Sequence, residues 1–180
     1  MSAHENKLPL SRGDWTLSRY LLERSRDPMP PIARASDDVL HIAKLAVNAP
    51  LPRAVYIVGE NDQYLGVIVD TDLAREVFGH LDPNLSFDPE WPSLKTILRV
   101  SEDASELTAL SLMSDGGPVL NEHDTLASAM RQLYRVNREE LPVVNGVGKL
   151  VGVIRALDIL REWVDDTLLM KFGDETESFY

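Results

Sequence analysis

Two hydrophobic periodicities alternate along the chain, and they do so in the same order twice. After a short extended piece, Pro31-Ile32-Ala33, apolar residues recur at helical spacing at Val39, Ile42, Ala43 and Ala46. A β-branched run from Ala54 to Val58 follows, then the turn residues Gly59-Glu60-Asn61-Asp62 and a second strand from Tyr64 to Val69. Two strands joined by so short a turn predict a hairpin. A further helix is expected from near Asp72, with Leu73, Val77 and Phe78 on its apolar face. The succession then returns: Pro118-Val119-Leu120, a helix on Leu126, Ala129, Met130 and Leu133, and a strand Leu141-Pro142-Val143-Val144. The turn Asn145 to Gly148, a strand Lys149 to Ile154 and a helix from Asp158 carrying Ile159, Leu160, Trp163 and Val164 complete it. Each unit reads β-α-β-β-α, so the expected fold class is α+β with two pseudo-symmetric units.

Residue identities support the duplication. Asp38 aligns with Asp124, and 124 − 38 = 86; without a gap, this offset gives 10 identities over the 41 positions from Asp38 to Phe78. They gather at the strand-to-helix junction, where Gly66-Val67-Ile68 meets Gly152-Val153-Ile154, Asp72 meets Asp158, and Arg75-Glu76 meets Arg161-Glu162. Asp38 and Asp124 are expected N-caps, since a short carboxylate accepts from the unpaired amides of a first helical turn. The expected divisions are an N-terminal extension over 1–27 with one helix around Asp14 to Arg24, a first unit over 28–80, and an inter-repeat linker over 81–111. Within that stretch, Ser93 to Leu98 and Ala104 to Met113 read as short elements. A second unit over 112–166 and an acidic tail over 167–180, frayed from Gly173, follow.

Composition narrows the function classes. The 180 residues carry 18 Lys+Arg against 29 Asp+Glu, a formal net charge of −11, which argues against a general nucleic-acid binder. With 0 cysteines there is no disulfide framework, thiolate metal site or cysteine nucleophile, and the 4 histidines form no metal-binding spacing. No apolar run approaches the roughly 20 residues that span a bilayer. A cytoplasmic, soluble chain without direct membrane insertion is expected. No GxSxG elbow or Walker lysine loop is present, and Gly146-Val147-Gly148 joins two strands rather than a strand and a helix. An enzyme is not expected, and no cofactor is required.

The lines Leu141-Pro142-Val143-Val144 and Leu150-Val151-Gly152-Val153-Ile154-Arg155-Ala156-Leu157-Asp158-Ile159-Leu160 resemble the CBS domain, named after cystathionine beta-synthase. Upstream, Leu112-Met113, Pro118-Val119-Leu120 and Asp124-Thr125-Leu126 look like the opening of the same family pattern. Tyr64 to Leu73 is a more diverged copy. The resemblance implies a tandem pair, a Bateman module, packed through its sheets and forming a homodimer. It implies a regulatory function: AMP, ADP or ATP held in a cleft between the repeats, with the bound state passed to an enzyme, channel or transporter.

Transferred to these positions, the resemblance gives Asp158 and Asp72 a bidentate hold on ribose hydroxyls. Val119 and Leu141 with Pro142, or Ile32 and Val55, would hold an adenine face. The family's Thr or Ser, three residues before the Asp, is Val69 in the first copy and Arg155 in the second. Thr71 can substitute for the lost hydroxyl, whereas Arg155 brings a fixed cation suited to phosphate, with Arg138 adding charge at the rim. The second site is therefore expected to dominate. Plainer readings stand beside these: Asp72 and Asp158 as simple N-caps, and Arg155 as a solvated charge or the partner of Asp158. The rival to nucleotide sensing is a ligand-free dimerisation or interaction module with both sites empty; a further variant is the detached counterpart of the cytoplasmic tail of an ion channel or transporter, since the inter-copy segment and the Leu112 to Leu120 spacing resemble chloride-channel tails.

Overall fold

The computed structural model describes residues 12–24, 29–49, 54–78 and 107–172. A 3₁₀ turn at Arg12–Asp14 leads into α1 (Leu17–Glu23), then β1 (Ile32–Arg34), α2 (Val39–Asn48), β2 (Ala54–Val58), β3 (Tyr64–Val69) and α3 (Asp70–Phe78). The second half holds α4 (Ala109–Leu112), β4 (Ser114–Asp115), β5 (Leu120–Asn121), α5 (Leu126–Val136), β6 (Glu140–Val144), β7 (Leu150–Arg155) and α6 (Ala156–Phe172). The fold is α+β, with sheets ordered β1-β2-β3-β4 and β5-β6-β7. β1 runs parallel to β2, and β2 and β3 pair antiparallel as the expected hairpin. The expected element at Ser93 to Leu98 and the fraying from Gly173 lie outside the described residues. Thr167 to Phe172, read as tail, continues α6 instead. Nothing in Thr-Leu-Leu-Met-Lys-Phe breaks a helix, and the Thr167 hydroxyl donates back to the Trp163 carbonyl at 2.7 Å.

Contacts divide the chain into two compact units that do not follow sequence order. One comprises Met29–Gly117 with Gly148–Leu150; the other comprises Met1–Pro28, Pro118–Val147 and Val151–Tyr180. The N-terminal extension thus belongs with the second repeat, and α4 and β4 belong with the first. The first-repeat core joins Ala33, Val39, Ile42, Val55, Ile57, Ile68, Leu73 and Ala109. The second-repeat core joins Leu120, Leu126, Ala129, Leu133, Leu141, Val143, Ile154 and Ile159 with Leu17 and Tyr20 from α1. Leu17 and Tyr20 lie three apart on one helical face, which is why α1 packs there rather than standing free.

The ungapped offset of 86 holds for the hairpin and the last helix but not for the first strand and helix. Arg34 pairs with Val58 as Asn121 pairs with Val144, so that part of the repeat is displaced by 121 − 34 = 87. Burial gives the physical reason. At 86, Leu40, 59% exposed, would correspond to Leu126, 2% exposed; at 87, buried Val39 matches Leu126 and buried Ile42 matches Ala129. The helix-to-strand connection absorbs the extra residue. The caps change accordingly. Asp38 caps α2 through the His41 amide at 2.8 Å, but α5 is capped by Thr125, through the Ser128 amide at 3.2 Å. Asp124 instead accepts from the Asn121 amide, as Asp37 does from the Arg34 amide. Each carboxylate closes the turn that leaves its strand.

The shared Gly-Val-Ile motif serves a close approach in both repeats, against different neighbours. A Cβ on Gly66 would lie 2.5 Å from the Ser114 carbonyl oxygen, because β4 pairs directly over that position. A Cβ on Gly152 would lie 2.7 Å from a Leu21 methyl of α1. A paired backbone cannot yield, whereas a leucine side chain can rotate. Gly66→Ala is therefore expected to destabilise by about 2 kcal/mol and Gly152→Ala by less than about 1 kcal/mol. Urea denaturation of the two variants checks the ranking, which is wrong if their midpoints fall equally.

Candidate functional site at the strand-to-helix junctions

Asp72 and Asp158 occupy the same place in their repeats, the third residue of the helix that follows the hairpin. Neither is an N-cap. α3 starts at Asp70 and α6 at Ala156, so both carboxylates stand inside the first turn. They remain favourably placed toward the positive end of the helix dipole. The Ala156 amide donates to the Glu139 carbonyl at 2.8 Å, which fixes the angle at which α6 leaves the sheet.

The two carboxylates have different surroundings. Asp158 is a buried charged residue, 8% exposed, and its Oδ1 lies 3.0 Å from Nη1 of Arg24 and 3.9 Å from Arg161. Arg24 also donates to the Tyr20 hydroxyl at 2.6 Å, with its guanidinium 5.5 Å from the Tyr20 ring centroid. Burial pushes the Tyr20 hydroxyl up to about 12, outweighing the opposing hydrogen bond from Arg24. In the first repeat, Asp72 Oδ1 meets Arg75 at 3.0 Å, a pair whose arginine side chain is 71% exposed. Such a surface pair contributes little.

α1 brings Arg24 to this position through backbone and side-chain ties. Thr16 caps the helix, the Leu17 amide donates to the Asp124 carbonyl at 2.8 Å, and the Ser18 amide donates to the Glu122 carbonyl at 2.9 Å. Arg12 pairs with Glu162 and lies 3.8 Å from Asp166, both on α6. Two guanidiniums approach the Trp15 ring, Arg19 at 4.1 Å and Arg12 at 5.6 Å from its centroid.

The remaining expected site residues scatter. Arg155 reaches Glu140, Nε to Oε2 at 3.4 Å, and so is not the partner of Asp158. Arg138 is exposed at the end of α5. Val119 is exposed and Ile32 half-buried, so each keeps apolar surface. Val55 and Leu141 are core residues, at 1% and 2% exposure, and offer an adenine no face. Strand alternation explains this: Val55 with Ile57, and Leu141 with Val143, point into their units' cores, while Pro142 takes the opposite side of β6 and is buried as well. Thr71 is exposed, and its amide bonds to Asp70. Arg24 and Tyr20 were absent from the expected set. Their signal was present in the spacing Leu17, Tyr20, Leu21, Arg24, a helical stripe that ends in a cation.

Residues 105–165 match the family model of the CBS domain. The curated protein CBSX2 of Arabidopsis thaliana, a chloroplastic CBS domain-containing protein, is 23% identical over 164 residues, 88% of this chain and 67% of the relative. The crystal structure of CBSX2 in complex with AMP superposes with a TM-score of 0.58 at 19% identity, covering 85% of this chain and 98% of that one. Residues 105–165 thus carry the CBS-domain match, and the chain has the fold of the CBS pair. The CBS domain of a membrane protein from Sphaerobacter thermophilus matches at a TM-score of 0.61, with 20% identity over 81% of this chain and 91% of that one. CbpB in complex with c-di-AMP matches at 0.61, with 19% identity over 92% and 93%. Among the described residues of this CBS pair, no helix is long and apolar enough to cross a membrane, and no histidine or carboxylate cluster could hold a metal ion.

Tyr20 reports on this site through pH. Its folded-state value, about 12 against an ordinary 10, means that the folded chain retains a proton which the unfolded chain loses as pH rises. The stability it lends is complete below pH 10 and declines from about pH 10 to 12, by a total of roughly 2 to 3 kcal/mol. Tyr20→Phe is expected to flatten that part of the stability profile, measured by urea denaturation from pH 9 upward. Parallel profiles for the two chains would contradict this account.

Proposed function

We propose that this CBS pair is a non-catalytic regulatory module of the cytoplasm that binds an adenine nucleotide, AMP, ADP or ATP, and passes the bound state to an associated enzyme, channel or transporter. The observation that carries the reading is the buried carboxylate of Asp158 in the first turn of α6, with the guanidiniums of Arg24 and Arg161 near its Oδ1. Asp158 accepts the ribose diol; Arg155 and Arg138 face the phosphates; Val119 supplies apolar surface to the base. CBSX2 in its complex with AMP and CbpB in its complex with c-di-AMP share the fold, and both ligands carry an adenosine unit. Charge favours the second repeat over the first. In the second repeat Asp158 pairs with Arg24 and Arg161, and Arg155 pairs with Glu140, whereas among the described residues the first turn of α3 holds Asp70 and Asp72 with Arg75 paired to Asp72. Regulation then follows from differential binding, since nucleotide stabilises the arrangement that a partner reads.

Thermal shift and calorimetry with AMP, ADP, ATP and c-di-AMP test the reading. At 100 times the dissociation constant the stabilisation is about 2.7 kcal/mol. Asp158→Ala is expected to weaken binding at least tenfold more than Asp72→Ala; a panel that leaves the melting curve unmoved removes the nucleotide.

A second reading, a ligand-free dimerisation module, draws on α6, where Leu157, Leu160, Trp163 and Val164 are exposed apolar residues close together on the helix. A face of this kind in an acidic protein suits a second copy of itself. Both readings share the homodimer. Trp163→Glu is expected to shift the light-scattering mass from twice the chain mass of 20.2 kDa to the monomer value. A wild-type chain that already scatters as a monomer excludes the dimer.

A further inference from the structure

We infer that Arg24 is a built-in competitor for the sugar-binding carboxylate of the second repeat, so that a nucleotide binds Asp158 only by releasing the end of α1. The inference rests on the nucleotide reading above and names how that site is regulated. A vicinal diol held in bidentate fashion needs both oxygens of a carboxylate, and among the described residues Arg24 and Arg161 both lie against Oδ1 of Asp158. Arg24, at 3.0 Å, is the nearer of the two. It is no loose surface cation. Its guanidinium is held by the buried Tyr20 hydroxyl, and its side chain is 22% exposed, against 61% for Arg161 and 71% for Arg75, the arginines that follow Asp158 and Asp72 on their own helices. Each carboxylate has an exposed partner on its own helix, and the second repeat adds one latched from another part of the chain.

Release leaves the body of α1 in place. Leu17 and Tyr20 stay in the second-repeat core, while Arg24 is the residue that ends the helix, its amide bonded to the Tyr20 carbonyl at 3.2 Å. The chain continues from Arg24 to β1, which begins at Ile32. A diol is neutral and Arg24 is charged, so the exchange also frees a cation for the ligand's phosphate, and a nucleotide is a better key than a bare nucleoside.

Two measurements on the full chain test the latch. Hydrogen exchange without ligand compares wild type with Asp158→Asn. The amides of Glu23 and Arg24 are expected to exchange at least fivefold faster in the variant, and unchanged rates overturn the latch whatever the ligand. Calorimetry with AMP compares wild type with Arg24→Met and Arg75→Met. Arg24→Met is expected to tighten AMP at least fivefold, and Arg75→Met to change it less than twofold. Weaker binding in Arg24→Met would make Arg24 a ligand-contacting group and overturn the competition. If no chain binds AMP while Asp158→Asn still loosens Glu23 and Arg24, the nucleotide reading and its release step fall together, and the contact is a structural tie. Circular dichroism of each variant confirms that the fold is retained.

Discussion

A carboxylate removed from water must find a cation or lose its charge, and at the start of α6 the chain meets that demand with an arginine from 158 − 24 = 134 residues earlier. The Asp158–Arg24 pair stands at the edge of a core that α1 itself completes, through Leu17 and Tyr20. Leu21 fills the space over Gly152, and Arg12 holds the start of the segment to Glu162. The second repeat is thus closed by residues that precede the first. A β-α-β-β-α unit whose sheet has three strands leaves apolar surface uncovered, and α1 covers part of it with one stripe of side chains.

The duplication shows how identical residues acquire different work. Gly66 and Gly152 are equivalent, yet one admits the backbone of β4 and the other a leucine side chain from α1. Asp72 and Asp158 are equivalent and each meets an arginine three residues on, yet Asp158 is buried and pairs as well with Arg24 at the end of α1. In each case the motif holds the backbone geometry, a close approach or a first-turn carboxylate, and the neighbour decides what that geometry is used for. The cap positions behave likewise: Asp38 and Thr125 perform one function with two side chains, while Asp37 and Asp124 retain the strand-exit turn.

The two repeats differ in the charges that surround these junctions. The first turn of α3 holds Asp70 and Asp72 with Arg75 paired to Asp72, whereas Asp158 in the first turn of α6 pairs with Arg24 and Arg161, and Arg155 before it pairs with Glu140. That asymmetry was readable in part. Arg155 in place of a hydroxyl residue, one position before α6, is visible in the sequence and points toward phosphate. Arg24 was not placed, because nothing local to Asp158 announces a partner so far away. The adenine-facing residues were misjudged in two places for a related reason: Val55 and Leu141 have the right polarity, but strand alternation turns them into the cores.

What the sequence determined by itself was the set of local structures and their doubling. Period-2 and helical patterns follow from backbone geometry within a few residues, and Gly-Val-Ile with an aspartate four positions on marks the same junction twice. Even the one-residue displacement between copies is implicit in the apolar positions, since Val39, Ile42 and Ala46 run 87, not 86, before Leu126, Ala129 and Leu133. Tertiary structure alone decided that the N-terminal helix belongs to the second repeat and that α4 and β4 belong to the first. It alone set Arg24 on Asp158, because long-range pairing depends on which surfaces remain uncovered once the local elements exist, and that is a property of packing in three dimensions rather than of spacing along a chain.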